Sequence, residues 1–198
     1  MASFITAGNA TNGLQVSSDN TGILQLKTGT GSGTTAVTFD TGQRATFPST
    51  ISVGNTTPAT TGAGITFPAA QSASSDANTL DDYEEGTWTP TITAASGTYT
   101  TVTASGSYIK VGNAVTVRIR VDIGNNGTAA TRMNIANFPF AAANTQSMSG
   151  ATREDQNTGN GFVASPIGTN SITVNRYDAT YGLATGAGFT LCITYITS

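Results

Sequence analysis

Between Ala114 and Ile123 the chain alternates without a break. Val115, Val117, Ile119, Val121 and Ile123 fall on one side, and Thr116, Arg118, Arg120 and Asp122 on the other. A repeat of two is that of an extended strand, so this segment predicts a strand with one face on a core. GFTLCITYI (188–196) repeats the pattern, with Phe189, Leu191, Ile193 and Tyr195 inward against Thr190, Cys192 and Thr194. YTTVTASGSYIKV (99–111) reads as a long strand bent at Gly106, and a tight turn at Gly112–Asn113 leads into the next. WTPTIT opens this region, and MNIANFPF (133–140), GFVAS (161–165) and SITVNRY (171–177) supply further strands. No segment carries a capped repeat of 3.6, and ANTQSMSGATRED holds one helical turn at most. About seven short strands divided by turn residues predict an antiparallel, jelly-roll-like β-sandwich over residues 88–198.

Residues 1–77 have a thinner pattern. GLQV (13–16) and GILQLK (22–27) flank SSDNT; AVTF (36–39) and RATF (44–47) flank DTGQ; TISV (50–53) and GITF (64–67) flank GNTTPATTGA. Each pair reads as a strand–turn–strand unit with few apolar side chains per strand. An isolated two-stranded hairpin is marginal in water, and so lean a segment buries little by itself. The regular spacing of Leu14/Val16, Ile23/Leu24/Leu26, Val37/Phe39 and Ile51/Val53 predicts a slender β-shaft whose apolar faces close against other copies of the chain. AAQSASSDAN (69–78) is small and polar, as a surface crossing is. Residues 78–87 form an acidic joint between the shaft and the sandwich. The expectation is thus an all-β chain in three parts.

Composition sharpens this. Charged residues make up 10% of the chain, against roughly 25% in an average globular protein. The 23 glycines, the abundant threonine and the scarcity of helix formers together favour β-structure and turns over helices. With a net charge of −3 and no basic stripe, nucleic acid is not an expected partner. No apolar run reaches the length of a spanning helix, so no membrane insertion is expected. MASFITAGNATNG lacks the basic and apolar regions of a secretory signal.

Candidate chemistry is sparse. With no histidine, the usual general base and the commonest metal ligand are both absent. Cys192 is the single cysteine, and its place in an alternating strand reads as a small packing residue. LDDYEEGTWTP (80–90) is the densest cluster. It places Asp81, Asp82, Glu84 and Glu85 within five residues, ahead of Trp88, the only tryptophan. Hard oxygen ligands close in sequence suit a cation such as calcium, although the spacing is not that of an EF-hand loop. Otherwise the four carboxylates form a solvated or intersubunit acidic turn. A glycosidase would combine one of them with Asp122, Asp155 or Asp178, but nothing selects a pair. GTGSG (29–33) lacks the ending of a phosphate loop and reads as a hairpin connection. Trp88, Tyr99, Tyr108, Tyr177 and Tyr181 could stack against sugar, or pack in the sandwich core and rim. Arg118, Arg120, Arg132 and Arg176 are candidate partners for acidic surfaces. The loops 125–131, 154–161 and 178–187 are the expected place for variable recognition.

LDDYEEGTWTPTIT, followed by SGSYIKVGNAVTVRIRVDI, resembles a segment that recurs in virion proteins of tailed bacteriophages, above all tail fibres and related head or tail appendages. TGILQLKTG and TTAVTFDTGQRATFPSTISVG resemble the repetitive β-segments of their shafts. The resemblance implies a virion structural protein without catalytic residues or cofactor, assembled as a homotrimer. Its N-terminal segment would attach to other virion proteins, and its sandwich would face a host surface glycan or protein. The short chain also fits a capsid decoration or head-fibre protein; a polysaccharide-degrading spike enzyme is a third class. In a trimer, Trp88 would plug the base of the sandwich, and the four acids of each chain would meet water or Arg118 or Arg120 of a neighbour. Crowding of those charges would need relief by arginine, cation or solvent.

Overall fold

The computed structural model describes residues 21–28, 34–70, 74–76, 78–145, 148–178, 180 and 183–197. Among them there is no helix, and apart from one short parallel pair the sheets are antiparallel. The chain divides into two compact units, Met1–Pro68 and Ala69–Ser198.

In the first unit, β1 (Leu24–Thr28), β2 (Thr34–Phe39) and β3 (Ala45–Thr46) form a sheet in that order. DTGQ is the β2–β3 turn, as its sequence predicts. Asp40 folds over it, accepting from Gly42 N at 2.8 Å and Arg44 N at 3.0 Å while pairing with the Arg44 guanidinium. TISV and GITF depart from expectation. They form β4 (Ile51–Ser52) and β5 (Ile65–Thr66), which pair in parallel rather than as a hairpin. Parallel neighbours need a crossover of about a dozen residues, and the long GNTTPATTGA connection supplies it. GLQV and GTGSG lie outside the described residues.

Among the described residues nine strands build the second unit. One sheet has the order β14-β9-β8-β6: β6 (Tyr83–Trp88), β8 (Thr101–Val111), β9 (Ala114–Asn125) and β14 (Gly188–Ile196). The other has the order β11-β12-β13-β10-β7: β7 (Thr91–Ser96), β10 (Ala130–Ala136), β11 (Gly150–Arg153), β12 (Gly161–Gly168) and β13 (Ser171–Arg176). The two sheets share one core. Val115, Val117, Ile119, Val121 and Ile123 of β9 and Phe189, Leu191, Ile193 and Tyr195 of β14 are all buried, as their alternation predicts. Met133 and Ile135 of β10, Phe162 of β12 and Ile172 and Val174 of β13 join the same cluster. The Phe162 and Phe189 rings, one from each sheet, lie 5.9 Å apart. Each fully buried aliphatic side chain contributes about 1.5–3 kcal/mol, so this unit has what the described residues of the first lack.

Three local expectations change. ATR of the ANTQSMSGATRED stretch lies in strand β11 rather than in a helical turn, because it pairs along β12. MNIANFPF ends its strand at Ala136, and Asn137 leaves it with a positive φ of 63°. YEEGTW is not a joint ahead of the domain but an edge strand of it, paired with β8 from Tyr83↔Val111 to Trp88↔Gly106.

Candidate functional site

Strand β6 converts the acidic run into two faces. Period two puts Glu84, Gly86 and Trp88 toward the core side and Tyr83, Glu85 and Thr87 outward. Each carboxylate then finds a different partner. Asp81 accepts from Ser74 N at 2.7 Å. Asp82 is buried and forms an ion pair with Lys110. Glu84 accepts the Tyr108 hydroxyl at 2.5 Å, and Glu85 that of Tyr83 at 2.9 Å. The hydrogen bond to Glu84 is the main reason the Tyr108 phenol is pushed up to about 12. The four acids therefore do not converge. Among the described residues no group of three or more His, Cys, Asp or Glu side chains is placed to hold a metal ion. Nor do all four meet water or a neighbouring chain: Asp82 turns inward because Lys110 lies within its reach in the fold.

The cross-strand pairs explain the glycines in EEGTW and SGSY. Gly86 faces Tyr108, and Gly106 faces Trp88. A Cβ on Gly86 would lie 2.7 Å from the Tyr108 hydroxyl, and one on Gly106 would lie 2.6 Å from Trp88 Cη2. Each glycine vacates the space that the opposite ring fills. Trp88 lies 6.2 Å from the Tyr108 ring and 6.1 Å from Phe138, at the edge of the core. Its Nε1 is buried and has no hydrogen-bond partner among the described residues. Tyr99 and Tyr108 also pack on the core, whereas Tyr177 is 88% exposed. Tyr181 lies outside the described residues. These aromatics do not gather into one stacking platform.

Neither expected arginine reaches the acidic run within the chain. Arg120 holds Asp122 through Nε at 3.0 Å and Nη2 at 2.5 Å, and Asp155 through Nη1 at 2.5 Å. Hydrogen bonding to Asp122, then to Asp155, raises the guanidinium pKa, and the same Arg120 bond lowers that of Asp122. Two of the candidate glycosidase acids are thereby tied to one cation. Asp178 instead accepts from Thr180 and lies 3.8 Å from Arg176. Arg118 is exposed on the outer face of the four-stranded sheet, opposite Ser107 and Cys192. Cys192 is exposed rather than packed, because its phase in β14 is the outward one. Arg118, Cys192, Glu85, Tyr108, Ile109 and Thr116 border an open depression of about 620 Å³. Beside it, Tyr83, Val111, Ala114 and Ile196 form a register row across all four strands. Tyr83, Val111 and Ile196 of that row are large and exposed, as is Ile109.

The three predicted recognition loops do meet. Thr185 accepts from Asn126 N through its hydroxyl at 3.0 Å and from Asn157 Nδ2 through its carbonyl at 3.1 Å. Under this cluster lies Glu154, a residue the sequence reading passed over. It is fully buried, and one oxygen accepts from Gln156 N (2.8 Å), Asn157 N (2.7 Å) and Gly188 N (3.2 Å). The other accepts from Gly159 N (2.7 Å), Thr158 N and the Thr158 hydroxyl (3.1 Å). Burial alone opposes its ionisation, but the backbone donors of Gly159, Gln156, Thr158 and Gly188 outweigh it. They hold the carboxyl well below the usual range. EDQNTGNG, an acid followed by turn formers, is the one sequence signal for such a carboxylate-centred loop. Lys110 was also legible in principle, since it sits on the inward phase of YIK with Gly106 and Tyr108. No protein-family model, curated protein or solved structure matches the chain.

Proposed function

We propose that the chain is a structural protein of a tailed-phage virion that acts by assembly and adhesion as a homotrimer. In this reading the first unit is a slender β-shaft closed by sister strands and attached to other virion proteins. The second is a jelly-roll-like sandwich turned toward a host surface glycan or protein. The observation that carries the proposal is the openness of the first unit. Of its described residues only Val37 is a buried apolar side chain. Leu26 stays 49% exposed and Ile65 53%, with Ile23, Phe39, Phe47 and Val53 also open. A three-stranded sheet with a single buried valine gains too little to offset the roughly 1–2 kcal/mol per residue of backbone ordering. Sister strands on those side chains would make up the deficit. The DYEEGTWTP resemblance supports the virion class. The apolar row from Tyr83 to Ile196 supports subunit contact on the second unit, and the loops tied at Thr185 offer a rigid recognition surface.

Native mass measurement tests the assembly: a trimer is expected, and a folded monomer whose residues 1–77 resist protease would overturn it. Cryo-EM of the particle tests the role. Density at the tail supports adhesion, whereas density over capsomer junctions would replace it with capsid decoration. Turnover of host polysaccharide by the purified protein would sink the reading of a non-enzymatic adhesin.

A further inference from the structure

At the end of β8 nearest the Gly112–Asn113 turn, an amine and a carboxyl are held in contact away from water. Lys110 and Asp82 are only 4% and 5% exposed. Nζ of Lys110 meets Oδ2 of Asp82. The carbonyl of Asp82 also accepts from Gly112 N at 3.1 Å, which fixes the backbone that carries the carboxyl. The Phe140 ring covers the amine, its centroid 5.5 Å from Nζ, and packs edge-on against Tyr108 at 5.4 Å. A second carboxyl is adjacent: Glu84 stands opposite Lys110 in the β6–β8 register and receives the Tyr108 hydroxyl. Breaking even is the usual outcome for a buried ion pair, so stability alone is a weak reason for this one. The chemistry available to the three groups is stronger ground.

We propose that Lys110 and Asp82 condense into an intramolecular amide that staples the start of β6 to β8. A proton first passes from the ammonium to the carboxylate, leaving a neutral amine against a neutral acid. The Nζ lone pair then adds to Cγ of Asp82. A second Nζ proton travels through the Glu84 carboxylate to the hydroxyl on Cγ. The C–O bond breaks, water leaves, and the Nζ–Cγ amide remains. Nothing is oxidised or reduced, and the only product besides the amide is one water. The fold supplies what the reaction lacks in solution: fixed proximity in place of a bimolecular encounter, and a dry site that slows the reverse hydrolysis. Tension arriving along the chain from upstream of Asp82 would then pass into β8 through a covalent bond instead of the β6–β8 hydrogen bonds. The proposal does not depend on the virion reading.

Intact mass of the folded, full-length protein tests it, together with a tryptic map. The expected result is a chain one water lighter than its sequence, with a branched peptide joining the segment of Asp82 to that of Lys110. Lys110→Met should restore the full sequence mass. Glu84→Gln should do so too while keeping the native Trp88 fluorescence, because it removes the proton carrier and spares the fold. Wild-type protein at full sequence mass, or a water loss without the branched peptide, overturns the staple. A Glu84→Gln protein that still carries the branch overturns the role given to Glu84.

Discussion

Replacing Glu154 by glutamine preserves size and shape but turns one acceptor oxygen into a donor. The amide nitrogen fits least badly at the oxygen that faces Thr158 and Gly159, where the Thr158 hydroxyl can rotate to accept. Two backbone N–H groups that met a carboxylate oxygen are then left facing a donor. An orphaned buried donor costs about 1–3 kcal/mol, and burying an amide instead of a charge returns part of that. The balance is a loss of about 3 kcal/mol, which for a domain of this size lowers Tm by roughly 10 °C. The effect has a pH signature. The folded carboxyl titrates below its unfolded value, which is near 4.3. Its stabilisation is therefore complete above that value and drains away as pH falls toward the folded pKa, at up to about 1.4 kcal/mol per pH unit. Glutamine has no such titration. Chemical denaturation of wild type and E154Q from pH 7 down to pH 2 should show a gap that is widest at neutral pH and narrows below about pH 5. Equal stability at pH 7, or a gap unchanged by acid, would refute the assignment of Glu154 as the anchor of the loop cluster.

Other expectations follow from the same geometry. Gly106→Ala drives a methyl into the Trp88 ring and should cost about 1–3 kcal/mol, with a shifted Trp88 emission; unaltered stability and spectrum would contradict the close approach. Arg120→Ala releases Asp122 and Asp155 and should cost about 1 kcal/mol at low salt and less at high salt, as read by denaturation at two ionic strengths. Leu26→Ser with Phe39→Ser should lower the native mass of the assembly while the thermal transition of the second unit persists; an intact trimer would count against sister strands closing on those positions.

Strand character was written in the chain, and for a simple reason. A buried sheet face imposes period two on its own residues, so β9 and β14 announce their inward positions without reference to anything distant. The turn at Gly112–Asn113 and the one at DTGQ are local in the same way. The edge strand β6 was harder to see, because its two glutamates and the two aspartates just before it mask the alternation that Gly86 and Trp88 share with Glu84.

Partners, by contrast, were decided only in three dimensions. Adjacent acids look alike in sequence, yet Asp82 is buried against Lys110 while Glu85 reaches outward, because the pairing register of β6 with β8 assigns each a face and a neighbour. Arg120 meets Asp155 across 35 positions of chain, and Glu154 meets Gly188 N across 34. No local pattern encodes such contacts; they exist because two sheets closed over one core and brought distant loops together. Composition and alternation determined that this protein is built of strands, whereas the packing of those strands determined which of its few charges are buried, and against what.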